Sequence, residues 1–254
     1  MSSIQQLYTL VDQQQFSTLK LEVEAYLSQS GDIQALPLKA LAFAHLDKRV
    51  EAEKALLEAE SHLDLLNDDA LVDIAGVYCL MFRINEAKYL LEAVIDRQSQ
   101  HALALARLAW CYMQRGNLGQ AIALYQQSVD LKPNRLPIWS ALSRLYLQVK
   151  NITSAQSSLD AGIICLNKQS EQLPFDAVTR FTEQFRSVQL ELWVADDNIA
   201  QAEQWLEQYQ SLLDEEKWAG LIGQFVSILS GAGEHAIAED ALISALKIYP
   251  KNEL

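Results

Sequence analysis

The chain has 254 residues, 72 of them Leu or Ala and only 14 Gly or Pro, a balance of helix formers over breakers that excludes a sandwich or barrel, since those folds need a turn every ~8–12 residues. Thirty-three acids against 20 bases leave a net charge of −13, which argues against a surface built to neutralise phosphate or anionic lipid and makes nucleic acid and membrane poor partners. No window approaches ~18 consecutive apolar residues, and the segment from Met1 to Gln15 has no basic stretch before an apolar run. Neither a membrane span nor a signal peptide is therefore expected, and the chain reads as soluble and cytoplasmic.

Taken in order, Ser3 with Gln6 three residues later forms a capping-box pattern that starts a helix. Leu7 and Leu10, then Leu19, Val23 and Tyr26, make a degenerate first helix pair. Leu36, Ala40 and Phe43 lead into Ala52-x-x-x-Leu56-x-x-Ala59, the second. Next comes Leu71-x-x-Ile74-Ala75-x-x-Tyr78, then Asn85 and Ala87-x-x-x-Leu91. The pattern returns 34 residues on as Leu105-x-x-Leu108-Ala109-x-x-Tyr112, Gly116-Asn117, Ala121-x-x-x-Tyr125-x-x-Ser128 and Pro133. After another 34 residues it reads Trp139-x-x-Leu142-Ser143-x-x-Tyr146, Asn151, Ala155-x-x-x-Leu159-x-x-Gly162. Each copy holds two stretches of 3.6-residue apolar periodicity joined by a short polar break, hence two antiparallel helices. Small residues such as Ala109, Ala121 and Ser128 stand where the axes approach closely, with Tyr112 and Tyr125 filling the gaps beside them.

From Ala155 to Ala202 the step is 47 residues, 13 more than one period. The surplus lies in 167–180, a polar run from Asn167 to Gln172 followed by Pro174. An unbroken apolar spacing from Phe175 to Ala195 predicts one long helix protruding beyond the stack, with Arg180, Glu183 and Arg186 on its solvated face. Ala202-x-x-x-Leu206-x-x-Tyr209 and Ala238-x-x-x-Leu242-x-x-Ala245 close the array, with Gly231 and Gly233 at the last interhelix turn and Pro250 as at Pro133. Seven helix pairs account for nearly the whole chain. Pro250 to Leu254 reads as a link into a further repeat, so the chain is expected either to be cut from a longer protein or to use its uncapped last helix, with Ile243, Leu246, Ile248 and Tyr249, in self-association.

The spaced positions of 68–169 resemble the tetratricopeptide repeat, with a Trp or Leu, a Leu followed by a small residue, a Tyr, an Ala, an aromatic, a small residue and a Pro. Lys39 departs from it where a Leu is usual. The resemblance implies an all-α, right-handed α-solenoid of about seven antiparallel helix pairs. Residues 1–169 form the array proper, copies one to four with the first degenerate. Residues 170–254 form similar copies, with the elongated helix near 175–195, continuous with the first array.

The family also implies a concave groove lined by the first helix of each pair, where peptides or partner helices bind. Positions not packed between helices include Asp73 in one copy, Arg107, Trp110, Met113 and Gln114 in the next, and Ser140, Arg144 and Leu147 in the one after. These eight are the candidate peptide-binding residues: an aromatic anchor, a deformable Met and two planar cations beside apolar area. The alternative is that Arg107 pairs with Asp73 on the adjacent helix and Trp110 is half-buried filler. The two-Asn, three-base clamp by which family co-chaperones grip a C-terminal carboxylate is absent, because Pro37 with Leu41, Val72 with Gly76, and Ala106 with Trp110 stand where Lys and Asn are needed.

Chemistry finds little support. His45, His62, His101 and His235 have no metal-ligand spacing, no Gly-rich loop follows a strand, and Cys79, Cys111 and Cys165 read as buried free thiols. Acid pairs such as Asp68-Asp69, Asp196-Asp197 and Glu215-Glu216 suit helix starts and breaks. No cofactor or metal is expected, and no enzyme. The sequence points to a non-catalytic interaction module, scaffold or chaperone-like, that binds a peptide or amphipathic helix of another protein. The alternative is the N-terminal substrate-presenting region of a larger enzyme, such as a sulfotransferase or glycosyltransferase.

Overall fold

The computed structural model describes residues 3–210 and 215–248, which form fourteen α-helices and, among the described residues, no strand. They pair in chain order. α1 (Ile4–Asp12) runs with α2 (Phe16–Ser30), α3 (Leu36–His45) with α4 (Arg49–Glu60), α5 (Asp68–Leu80) with α6 (Ile84–Arg97) and α7 (Ala102–Gln114) with α8 (Leu118–Leu131). α9 (Leu136–Gln148) precedes α10 (Ile152–Gln169), α11 (Phe175–Ala195) precedes α12 (Ile199–Gln210), and α13 (Glu215–Ala232) precedes α14 (His235–Ile248). The fold is an all-α solenoid of helix pairs. Residues through Ile138, with Glu171–Ala177, make one compact unit; Trp139–Ser170 and the residues from Val178 on make another.

One turn closes every pair. A single residue after the first helix takes the left-handed conformation: Gln14, Asp47, Phe82, Gly116, Lys150, Asp197 and Gly233, with φ from 54° to 91°. The following N–H then returns to a carbonyl five residues back, as in Gln15 to Leu10, Lys48 to Phe43, Arg83 to Tyr78, Asn117 to Tyr112, Asn151 to Tyr146, Asn198 to Trp193 and Glu234 to Leu229, all at 2.8–3.0 Å. This satisfies a carbonyl that the helix end would otherwise orphan. The donor residue stands immediately before the second helix, and at Asn117 and Asn151 its side chain caps that helix: Asn151 Oδ1 accepts from the Ser154 N–H at 3.1 Å. Two of the seven turn residues are Gly, so at five positions a side chain carries the ~1 kcal/mol cost of left-handed backbone.

The period-34 alanines lie where the helices touch. Ala52, Ala87, Ala121, Ala155, Ala202 and Ala238 are all buried, as are Leu56, Leu91, Tyr125, Leu159 and Leu206 four residues on. Ser128 Oγ donates to the Ala102 carbonyl at 2.7 Å, pinning α8 to the start of its own partner helix.

The 13 surplus residues are divided differently from expectation. The polar run continues α10 to Gln169, and α11 is long but does not stand clear: Phe181, Phe185 and Val188 are buried along it. Phe185 presses on Gly162 of α10, where a Cβ would lie 2.7 Å from its ring. Arg186 places its guanidinium 4.6 Å from the Tyr209 ring centre instead of in solvent. On α14, Ala245 is buried and Ile243 and Leu246 are exposed; the Ile248 side chain, Tyr249, Pro250 and the residues to Leu254 lie outside the described residues. Among the described residues no helix is long and apolar enough to cross a membrane.

Candidate partner-docking surface

In the first unit, α5 and α7 lie side by side and bring Asp73 against Arg107, one repeat period apart. Arg107 Nη1 donates to Asp73 Oδ1 at 3.0 Å and also to the Val72 carbonyl. Asp73 is wholly buried, and burial pushes its carboxyl pKa up against the opposing pull of Arg107. Gly76 leaves room for this pair, since a Cβ there would lie 2.5 Å from Arg107 Cζ. Arg107 is thus engaged by Asp73 and the Val72 carbonyl within the fold.

The chain's own first helix covers this end of the surface. Tyr8 of α1 lies against Asp73, and burial followed by the Asp73 charge raises its phenol pKa. Asp12 Oδ1 pairs with Arg135 Nη1 at 3.2 Å, and Phe16 at the start of α2 stacks on His45 with ring centres 3.6 Å apart. Between α1 and the array lies a cavity of about 500 Å³ whose walls include Ile4, Tyr8, Asp12, Asp69, His101 and Arg135. His101 caps α7, its Nδ1 accepting from the Ala104 N–H at 3.2 Å, so Nε2 carries the hydrogen given to Asp69 at 2.9 Å.

The other end is open and apolar. Trp110 is half-buried on α7, with Met113 one turn on and Gln114 exposed beside it. Leu80, at the end of α5, is also exposed, and Phe82 holds its ring 6.0 Å from that of Trp110 while 67% of its surface meets solvent. Phe82 is the left-handed turn residue of its pair.

A model of the tetratricopeptide repeat matches residues 80–126 and 113–172, a span that includes this surface. Residues 80–172 are tetratricopeptide repeats. A chain of the APC/C hetero-tetramer Cut9–Hcn1 superposes with TM-score 0.65 at 14% identity, over 97% of this chain and 46% of that one. PilW, a widely conserved type IV pilus biogenesis factor, superposes with TM-score 0.59 at 16% identity over 82% of this chain and 90% of its own. Pseudomonas aeruginosa pilF superposes with TM-score 0.54 at 15% identity, over 82% and 89%. At these identities the likeness is one of fold, and the chain spans less than half of the first neighbour. No curated protein sequence matches it.

In the second unit, Arg144 and Ser140 have partners of their own. Arg144 Nε lies 3.0 and 2.9 Å from the two carboxylate oxygens of Glu191 on α11, and its Nη2 is 3.3 Å from Ser187 Oγ. Gln184 Nε2 donates to Ser140 Oγ at 2.6 Å. Leu147 is half-buried. Phe82, the exposed half of the aromatic pair, was missed by motif reasoning, although it stands one period before Gly116 in the slot of the interhelix turn.

Proposed function

We propose that this protein is an interaction scaffold that holds an apolar or amphipathic segment of another protein on the surface formed by Leu80, Phe82, Trp110, Met113 and Gln114. The observation that carries this is Phe82. Its backbone sits in a conformation that costs a bulky residue about 1 kcal/mol or more, yet its ring stays two-thirds in solvent beside a half-buried Trp. Local strain with little packing in return is typical of positions kept for binding, and a cluster of aromatic side chains with a deformable Met suits an anchor residue of a partner helix. Arg107 and Arg144 act in this reading as internal tethers that fix the spacing of neighbouring helices. The fold neighbours support an assembly role: one is part of a hetero-tetramer and another is described as a pilus biogenesis factor.

Selection of helical peptides from a display library on the wild-type chain, followed by titration of the winners onto the F82A/W110A variant, tests this. The variant should keep its helical circular dichroism and lose at least about tenfold in affinity, the ~1.4 kcal/mol that one anchor loss exceeds. Winners that bind the variant as tightly as the wild type would refute it.

A further inference from the structure

Two thiols meet inside the first unit. Cys79 lies in the last turn of α5 and Cys111 near the end of α7, both are buried, and their Sγ atoms are 3.7 Å apart with one S–H donating to the other sulfur. Their hydrogen bond pushes Cys79 up, as does burial, and the same bond pulls Cys111 down against its own burial, with help from the Arg115 and Lys88 charges. Cys165 stands apart from them in the second unit, with Gln169 Nε2 at 3.1 Å from its sulfur.

A disulfide needs its sulfurs about 2.05 Å apart. The two sulfurs therefore have to close by less than 2 Å, a movement within reach of side-chain rotation and a small approach of neighbouring helices. We propose that Cys79 and Cys111 form an oxidation site for hydrogen peroxide, closing an intramolecular disulfide that ties α5 to α7.

When a local opening of the last turns of α5 and α7 admits the peroxide to the buried pair, the Cys111 thiolate attacks one peroxide oxygen and the O–O bond breaks, giving a sulfenic acid and hydroxide, which takes the proton of Cys79 to become water. The Cys79 sulfur then attacks the Cys111 sulfur and expels hydroxide, which leaves as a second water once protonated by solvent. The two thiols are oxidised by two electrons in total, and the peroxide is reduced. In a solenoid each pair touches only its neighbours, so one bond between α5 and α7 fixes one interface and no other. That interface carries Phe82 and Trp110 at its edge, Trp110 being the residue before Cys111. The oxidation site stands whether or not that edge binds a partner.

The test uses the C165S chain, which retains the pair, with the wild-type chain in parallel. Each is treated with hydrogen peroxide, denatured, alkylated and weighed by mass spectrometry, with light scattering to follow assembly. The expected result is a monomer that has lost two hydrogens and both alkylatable thiols of the pair, linked through the peptides of Cys79 and Cys111, restored by dithiothreitol, with an unfolding midpoint several degrees above the reduced form. The wild type should show the same linked peptides, so the reading survives poor folding of the variant. Two alkylatable thiols remaining at a peroxide dose that oxidises free glutathione would overturn the proposal. So would a disulfide-linked dimer, sulfinic acid on one cysteine without the internal bond, or a lowered unfolding midpoint.

Discussion

Gly76 gives the sharpest test of how the first unit is held together. In a helix interior Gly→Ala gains about 1 kcal/mol from propensity alone. Here the new methyl would lie 2.5 Å from Cζ, 2.7 Å from Nη2 and 2.8 Å from Nε of Arg107. A guanidinium at the end of a flexible side chain ordinarily swings aside at little cost. This one is held by Asp73 and the Val72 carbonyl, and the two side chains are only 14% and 1% exposed. Moving it leaves a buried carboxylate without its partner, a loss of about 3–5 kcal/mol. Set against the propensity gain, G76A should destabilise by about 2–4 kcal/mol. Urea unfolding followed by far-UV circular dichroism reads this directly. In a D73L/R107A background, where there is neither guanidinium nor carboxylate, G76A should instead stabilise by up to about 1 kcal/mol. A G76A chain as stable as the wild type would show that Arg107 is not anchored, and the tether reading would fail with it.

Gly162 predicts a loss of a different kind: an alanine Cβ meets the Phe185 ring at 2.7 Å and the Trp139 Cβ at 2.8 Å, so G162A should cost about 1–3 kcal/mol by overpacking. G119A in α8 meets nothing within 4 Å and should gain up to about 1 kcal/mol in the same melts; equal behaviour of the two variants would sink the packing argument. His45 tests electrostatics, because burial against Phe16 and then the Arg107 charge lower its pKa to about 4. Since the unfolded chain takes the proton first, stability is lost as pH falls from about 6.5 towards 4 and levels off below, by a small amount because His45 is an exposed residue and its charge is screened by solvent. A histidine titration by NMR should find this midpoint well below 6.5, and H45Q should flatten the slope; a midpoint near 6.5 would refute the assignment.

What the sequence could and could not announce follows from periodicity. A contact between equivalent positions of neighbouring repeats is one period long, so the anchor alanines and the pairing of Asp73 with Arg107 are visible as residues 34 apart. The pairing of Cys79 with Cys111 spans 32 residues, falls between registers, and carries no spacing signal. Tyr8 meeting Asp73 and Asp12 meeting Arg135 are further still from any multiple of the repeat, because they depend on how α1 lies over the array and not on how one pair stacks on the next. Breaker residues were a partial guide to turns: Gly116 and Gly233 mark two, whereas the other five rely on backbone hydrogen bonds that any residue but proline can make.

The same logic separates the open end of the docking surface from the covered end. Groove positions defined by helix face alone place Asp73, Arg107 and Trp110 on one stripe, and periodicity has no means of ranking them. The structure ranks them by what each side chain already touches. Arg107 donates from Nη1 within the fold and Asp73 lies against Tyr8 of α1, while Trp110 retains an exposed neighbour in Phe82. Of the five non-Gly residues in left-handed turn slots among the described residues, Phe82 is the one aromatic, and there local backbone preference and the residue present disagree most. Such a disagreement persists when something other than folding maintains it, which is why the partner is sought there and not at the arginines.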